Sequence, residues 1–131
     1  MMSNDTQRKP TILIVDDYDE YRFTIKMFLE SSGYAVVEAE DGQQALDVAL
    51  ASLPAVILMD IGLPGFGGIA VTKEMRKEKS LQNCPIIAIT AYGAQGLHEE
   101  ALAAGCNEVY TKPIELELLR RILERHGAFP A

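Results

Sequence analysis

The chain has 131 residues, 48% of them hydrophobic and 24% charged, which is enough for one domain with a core of its own. With 19 acidic against 12 basic residues the formal charge is −7, which argues against nucleic acid or an anionic membrane as partner and suits a cation. Cys84 and Cys106 belong to no CxxC or Cys/His cluster, no apolar run approaches the roughly 20 residues of a membrane span, and with no signal peptide a reduced, cytoplasmic protein is expected.

Residues 1–9 are polar and are expected to form a loose tail. Pro10 opens a first apolar run, "TILIV". Tyr21, Thr24, Ile25, Phe28 and Leu29 then recur at helical spacing, with Gly33 as a stop. The second run, "YAVVEA", leads to a helix carrying Ala45, Leu46, Ala49 and Leu50, with Asp41 as its N-cap. "AVILM" precedes a helix with Ile69, Thr72, Met75 and Arg76. "PIIAIT" precedes one with Leu97, Ala101, Leu102 and Ala104, ended by Gly105. "EVYT" precedes the last, with Leu116, Leu119, Ile122 and Leu123, ended by Gly127.

Short runs without polar alternation suit strands covered on both faces, and a strand–helix order repeated five times implies a parallel sheet with right-handed crossovers. Five units are too few for an eight-fold barrel. The expected fold is therefore α/β: a flavodoxin-like, doubly wound (βα)5 unit with strand order 2-1-3-4-5 and helices on both faces. It would occupy residues 10–128, and since only "AFPA" follows Gly127, no output domain is expected.

In such a sheet the ligand lies beyond the carboxyl ends of the strands, where the strand order reverses between the first and third. The first strand ends in Asp16 and Asp17, and the third ends in Asp60. Thr90 ends the fourth, and Lys112-Pro113 follows the fifth. Three converging carboxylates would raise one another's pKa unless a cation lies among them. Oxygen donors without His or Cys select a hard ion, Mg2+ in the first place and Mn2+ as an alternative. Mg2+ in such a crevice usually bridges to phosphate, and a lysine and a threonine are fitting donors to phosphoryl oxygens. Asp60 stands singly before a Gly/Pro-rich loop, so it is the carboxylate best placed to act as nucleophile and form an acyl phosphate. Asp16 and Asp17 suit the metal.

Asp16-Asp17, Asp60, "LPGFGG", Thr90-Ala91 and Lys112-Pro113, at these intervals, resemble the receiver domain of bacterial two-component response regulators, the CheY-like family, over residues 11–127. The resemblance implies that Asp60 takes a phosphoryl group from a phosphohistidine of a histidine kinase or a phosphotransfer protein. It implies that Asp17 binds Mg2+ directly, Asp16 mostly through water, and the backbone carbonyl of Gly62 completes the protein ligands. Lys112 would neutralise phosphoryl charge, Thr90 would turn toward it, and the Lys112-Pro113 bond would be cis. Output would pass to a downstream protein through the face of helix 4, strand 5 and helix 5, or by onward phosphorelay.

Three positions depart from the family pattern. Val109 stands three before the lysine, where Tyr or Phe is common, and strand alternation puts Tyr110 on the opposite face. Gly67 replaces a frequent Asp or Ser, so a more mobile loop is expected. Gly62 and Tyr92 flank the route of an attacking water, with Tyr92 as shield and Gly62 leaving space.

Taken singly these residues have plainer readings. Asp17 or Asp19 would cap the first helix, Thr90 would be an ordinary strand residue and Lys112 a solvated amine. The cysteines read as small apolar residues, and His98 and His126 have no site role. Phe23 and Met27 lie off the first helix's apolar stripe and form a candidate docking face for a partner helix, to which the resemblance adds Ile114, the residue after Pro113. An alternative function keeps the fold as a protein-binding module independent of phosphate, with Val109 in its favour. A phosphatase using an aspartyl phosphate would need a second acid where Gly62 stands.

Overall fold

Along the central strands alternate side chains part into two layers, and this organises the rest of the chain. The computed structural model describes residues 8–63, 67–91 and 96–131. The tail expectation for residues 1–7, the centre of the "LPGFGG" loop and Tyr92 lie outside the described residues.

The strands are β1 (Thr11–Val15), β2 (Ala35–Ala39), β3 (Val56–Asp60), β4 (Ile86–Thr90) and β5 (Glu108–Thr111). They alternate with helices α1 (Asp19–Ser31), α2 (Gly42–Ser52), α3 (Gly68–Lys77), α4 (Leu97–Ala104) and α5 (Leu116–Arg125), and a 3-10 turn at Lys79–Leu81 follows α3. All strand pairs are parallel and the order is β2-β1-β3-β4-β5, as the alternation of elements requires.

Leu13, Val15, Ile57, Met59 and Ala88 face one way, where Ala45 and Ala49 of α2, Val71 and Met75 of α3 and Ala101 of α4 cover them. Ile12, Ile14, Leu58, Ile87 and Ile89 face the other way, covered by Ile25 and Leu29 of α1 and by Leu119, Ile122 and Leu123 of α5. The three central strands are almost wholly buried, whereas β2 and β5 are mostly half-buried because each forms an edge. The continuous apolar runs are thus covered on both faces only in the centre.

The helical stripes need correcting at three positions. Thr24, Leu50 and Leu102 are exposed, and the buried line of α1 is Arg22, Ile25 and Leu29. The Thr24 hydroxyl instead donates to the carbonyl of Glu20 one turn back. Asp41 does cap α2, accepting from the Gln44 amide at 2.9 Å. Neither Asp17 nor Asp19 caps α1; the N-cap is Tyr18, without a side-chain cap bond. Gly105 ends α4 with a φ of 123°, and an added Cβ there would lie 2.6 Å from the Arg76 stem.

Candidate functional site

The carboxyl ends of β1 and β3 are neighbours, with Val15 in register with Met59, so Asp16 just after β1 and Asp60 at the end of β3 lie side by side. One carboxylate oxygen each from Asp16, Asp17 and Asp60 lies within 4.8 Å of the others. Asp16 and Asp60 are buried, whereas Asp17 is exposed and opens the cluster to solvent. The acid that ends the apolar run of β3 is held by hydrogen-bond donors and an ammonium, not orphaned.

Asp60 Oδ1 accepts from the Gly62 amide at 2.9 Å. Asp16 Oδ1 accepts from the Tyr18 amide at 2.8 Å, and the Asp16 amide donates to the Ala39 carbonyl of β2 at 3.1 Å. Lys112 Nζ bridges Asp16 Oδ2 at 2.7 Å and Asp60 Oδ2 at 3.2 Å. Lys112 is itself anchored by its amide, which donates to the Thr90 carbonyl at 2.7 Å, and its peptide bond to Pro113 is cis. Thr90 is buried at the end of β4, one residue beyond the partner of Asp60 in the ladder.

Burial raises the Asp60 carboxyl above its ordinary range; the Gly62 amide and Lys112 oppose this, and the charge of Asp16 adds to it. Burial works against the Lys112 ammonium, but Asp16 and Asp60 outweigh it and hold the amine above its usual value. Three acids therefore face one lysine, and the donor set is entirely oxygen. Such a set, open to solvent through Asp17, fits a small hard divalent cation that keeps several waters.

Of the six residues singled out in the sequence, Asp16, Asp17, Asp60 and Lys112 meet in one cluster, Thr90 lies at the same sheet edge, and Gly62 contributes its amide to Asp60. Phe23 and Met27 are exposed as expected, but Ile114 is buried in the α1–α5 layer and cannot complete a docking face with them. Val109 packs in the α2–α4 layer and Tyr110 in the α1–α5 layer, so the two do lie on opposite faces. Cys106 is buried and Cys84 half-buried; burial pushes the Cys84 thiol up to about 11, so neither is a poised nucleophile.

Two supporting residues carry little signal in the sequence. The Tyr21 ring lies under Lys112 Nζ, 4.7 Å from its centroid. At Gly68, an added Cβ would fall 2.6 Å from the Asp60 carbonyl oxygen and 2.5 Å from the Ile61 Cα, so only glycine lets α3 start this close to the acid. The Gly67-Gly68 doublet before a helix is the one cue.

A sequence profile for the response regulator receiver domain matches residues 12–124. The chain belongs to the response regulator receiver domain family. It is 35% identical over 106 residues to the polar-differentiation response regulator DivK of Brucella ovis, covering 81% of this chain and 86% of that protein. It is also similar to the receiver domain of a sensor histidine kinase from Pseudomonas aeruginosa, solved with a magnesium ion coordinated in its active-site cleft. That match has 38% identity, a TM-score of 0.83, and coverage of 90% of this chain and 97% of the other. Chemotaxis protein CheY4 of Vibrio cholerae aligns with a TM-score of 0.83 and 29% identity over 90% of this chain and 98% of the other. A receiver is a signalling module of two-component systems, not a metabolic enzyme. Among the described residues no helix is long and apolar enough to cross a membrane.

Proposed function

We propose that this receiver is a phosphorylation switch in which Asp60 is the phosphoacceptor. The observation that carries the reading is the meeting of Asp16, Asp17 and Asp60 within 4.8 Å beside a lysine that touches two of them. The donor is a phosphohistidine of a histidine kinase or a phosphotransfer protein. An Asp60 carboxylate oxygen attacks phosphorus, the O–P bond forms as the P–N bond breaks, and the departing imidazole takes a proton from solvent.

Asp17 would hold Mg2+ directly and Asp16 mostly through water, with Asp60 and the Gly62 carbonyl as the remaining protein ligands. When bound there, the ion neutralises negative charge shared between carboxylate and phosphoryl group. Lys112 exchanges its contact with the carboxylates for one with the phosphoryl oxygens, and Thr90 turns toward the same group. Residues 10–128 form this unit, acting in the cytoplasm. The phosphorylated state signals by protein contact across α4, β5 and α5 or by onward transfer.

The position of Val109 favours a second reading, a binding module whose contacts do not depend on phosphate. No aromatic side chain stands there to follow Thr90 inward, so phosphate would have to act through shifts of loops and α4 instead.

The test is incubation with acetyl phosphate and Mg2+, followed by intact mass. A gain of about one phosphoryl group that disappears in Asp60→Asn, and when a chelator removes the metal, is expected. No gain in the parent protein overturns the switch and leaves the binding module.

A further inference from the structure

Arg22 is a charged side chain in the apolar stripe of α1, and its three donors diverge to three different segments. Nη1 donates to the Asp16 carbonyl at 2.6 Å in a buried bond. Nε donates to Glu38 Oε1 on β2 at 2.9 Å. Nη2 donates to Asp19 Oδ1 in the first turn of α1 at 2.6 Å. Lys26 braces Glu38 from the other side, its Nζ 3.1 Å from Oε2.

The carbonyl that Arg22 grips belongs to the peptide joining Asp16 to Asp17. Fixing that peptide fixes the direction in which the Asp17 side chain leaves the backbone. The Asp16 amide is tied on its other side to Ala39 of β2, so β2 holds the strand end from two directions, once directly and once through Glu38. Asp17 itself is exposed, and its place depends on the backbone beneath it.

Arg22 is not a counterion for the three acids. Its charge and that of Lys26 are matched by Asp19 and Glu38. Lys112 fills the counterion role. What the guanidinium supplies is a rigid fork with separate donors, which an ammonium on a flexible stem does not reproduce.

We propose that Arg22 is a positioning residue of the metal site: by clasping the Asp16–Asp17 peptide to α1 and β2 it holds Asp17 in the geometry that binds the cation. The inference rests on the reading of Asp16, Asp17 and Asp60 as a Mg2+ site. Loss of such a supporting contact typically weakens metal affinity by about 10- to 100-fold.

The experiment is calorimetric titration of Mg2+ into the full chain at constant ionic strength, with melting temperatures measured in parallel. Arg22→Lys keeps the charge and loses the fork, and a Kd for Mg2+ raised ~10-fold is expected. Its labelling by acetyl phosphate should return to within about twofold of the parent rate once Mg2+ is saturating, because Asp60 and Lys112 are untouched. Glu38→Gln loosens the fork's brace, whereas Glu40→Gln removes the same charge from an exposed residue two positions on. The first should weaken Mg2+ several-fold, to about one third of parent affinity, and the second should stay within about twofold of the parent.

A lower melting temperature with unchanged Mg2+ affinity in Arg22→Lys would make the arginine merely structural and overturn the proposal. Should Arg22→Lys not fold, equal affinities for Glu38→Gln and Glu40→Gln overturn it. A parent protein that binds no Mg2+ overturns the metal site as well, which separates that failure from the failure of Arg22 alone.

Discussion

Lys112 sits between two acids that a cation would also use. Its Nζ touches Asp16 Oδ2 and Asp60 Oδ2, so without metal it is the internal counterion of the pocket. Ion and amine compete for the same charge, and the lysine must shift before phosphoryl oxygens can use it. Lys112→Met keeps a stem of similar length and leaves three acids without a cation. It is expected to bind Mg2+ about three- to tenfold more tightly than the parent, in a titration at fixed ionic strength, since a like-sign competitor has been removed. Labelling by acetyl phosphate should nevertheless slow by at least ~10-fold, because the developing phosphoryl charge loses its amine. Weaker Mg2+ binding by the variant would mean that Lys112 holds the acids in shape and does not compete.

At the level of elements, the strands were legible because each is a short apolar run bounded by turn residues, and the helices because their stripes repeat. The site was legible for a related reason: a parallel sheet gathers the carboxyl ends of its strands, so acids just after β1 and at the end of β3 had to meet. Arg22 was not legible, since a charged residue on an apolar stripe reads as solvent-facing until its partners are known. Ile114 was misplaced because nothing in a lone apolar residue after proline distinguishes a core contact from a docking contact. Arg76 shows the same limit. Its guanidinium donates to the carbonyls of Gly105 at 3.0 Å, Leu81 at 2.7 Å and Gln82 at 3.3 Å, and to Asn107 Oδ1 at 3.0 Å. It staples the end of α3 to the 3-10 turn and the α4–β5 connection, all on the side of the sheet away from the acids. Arg76→Ala removes all four bonds, although the Leu81 carbonyl still accepts from the Cys84 amide and Asn107 Oδ1 from the Ile86 amide, and is expected to cost about 1–3 kcal/mol in urea unfolding. Mg2+ affinity should not change, whereas a matching loss of affinity would mean that the two ends of the sheet are coupled.

For the whole molecule, the functional pocket and the stability of the fold pull against each other. The sheet brings three acids to one edge and buries two of them. The Asp60 carboxyl titrates higher in the folded protein than in the unfolded chain, with burial as the main cause. Its contribution to stability is therefore fully present below the unfolded value and is lost as pH rises through the folded one, so at neutral pH the metal-free fold bears the cost of a buried, crowded charge. Asp60→Asn removes that cost. Without Mg2+ at neutral pH the variant is expected to melt about 3–5 °C above the parent, and the advantage should shrink as pH falls through the range where Asp60 takes up its proton. Mg2+ reverses the order. At a concentration ~100-fold above its Kd a ligand that binds only the folded state adds about 2.7 kcal/mol, and the parent, with all three acids, gains more than the variant. A parent that melts above Asp60→Asn without metal would show that Lys112 and the Gly62 amide already compensate the pocket in full, and that Mg2+ is not needed to relieve it.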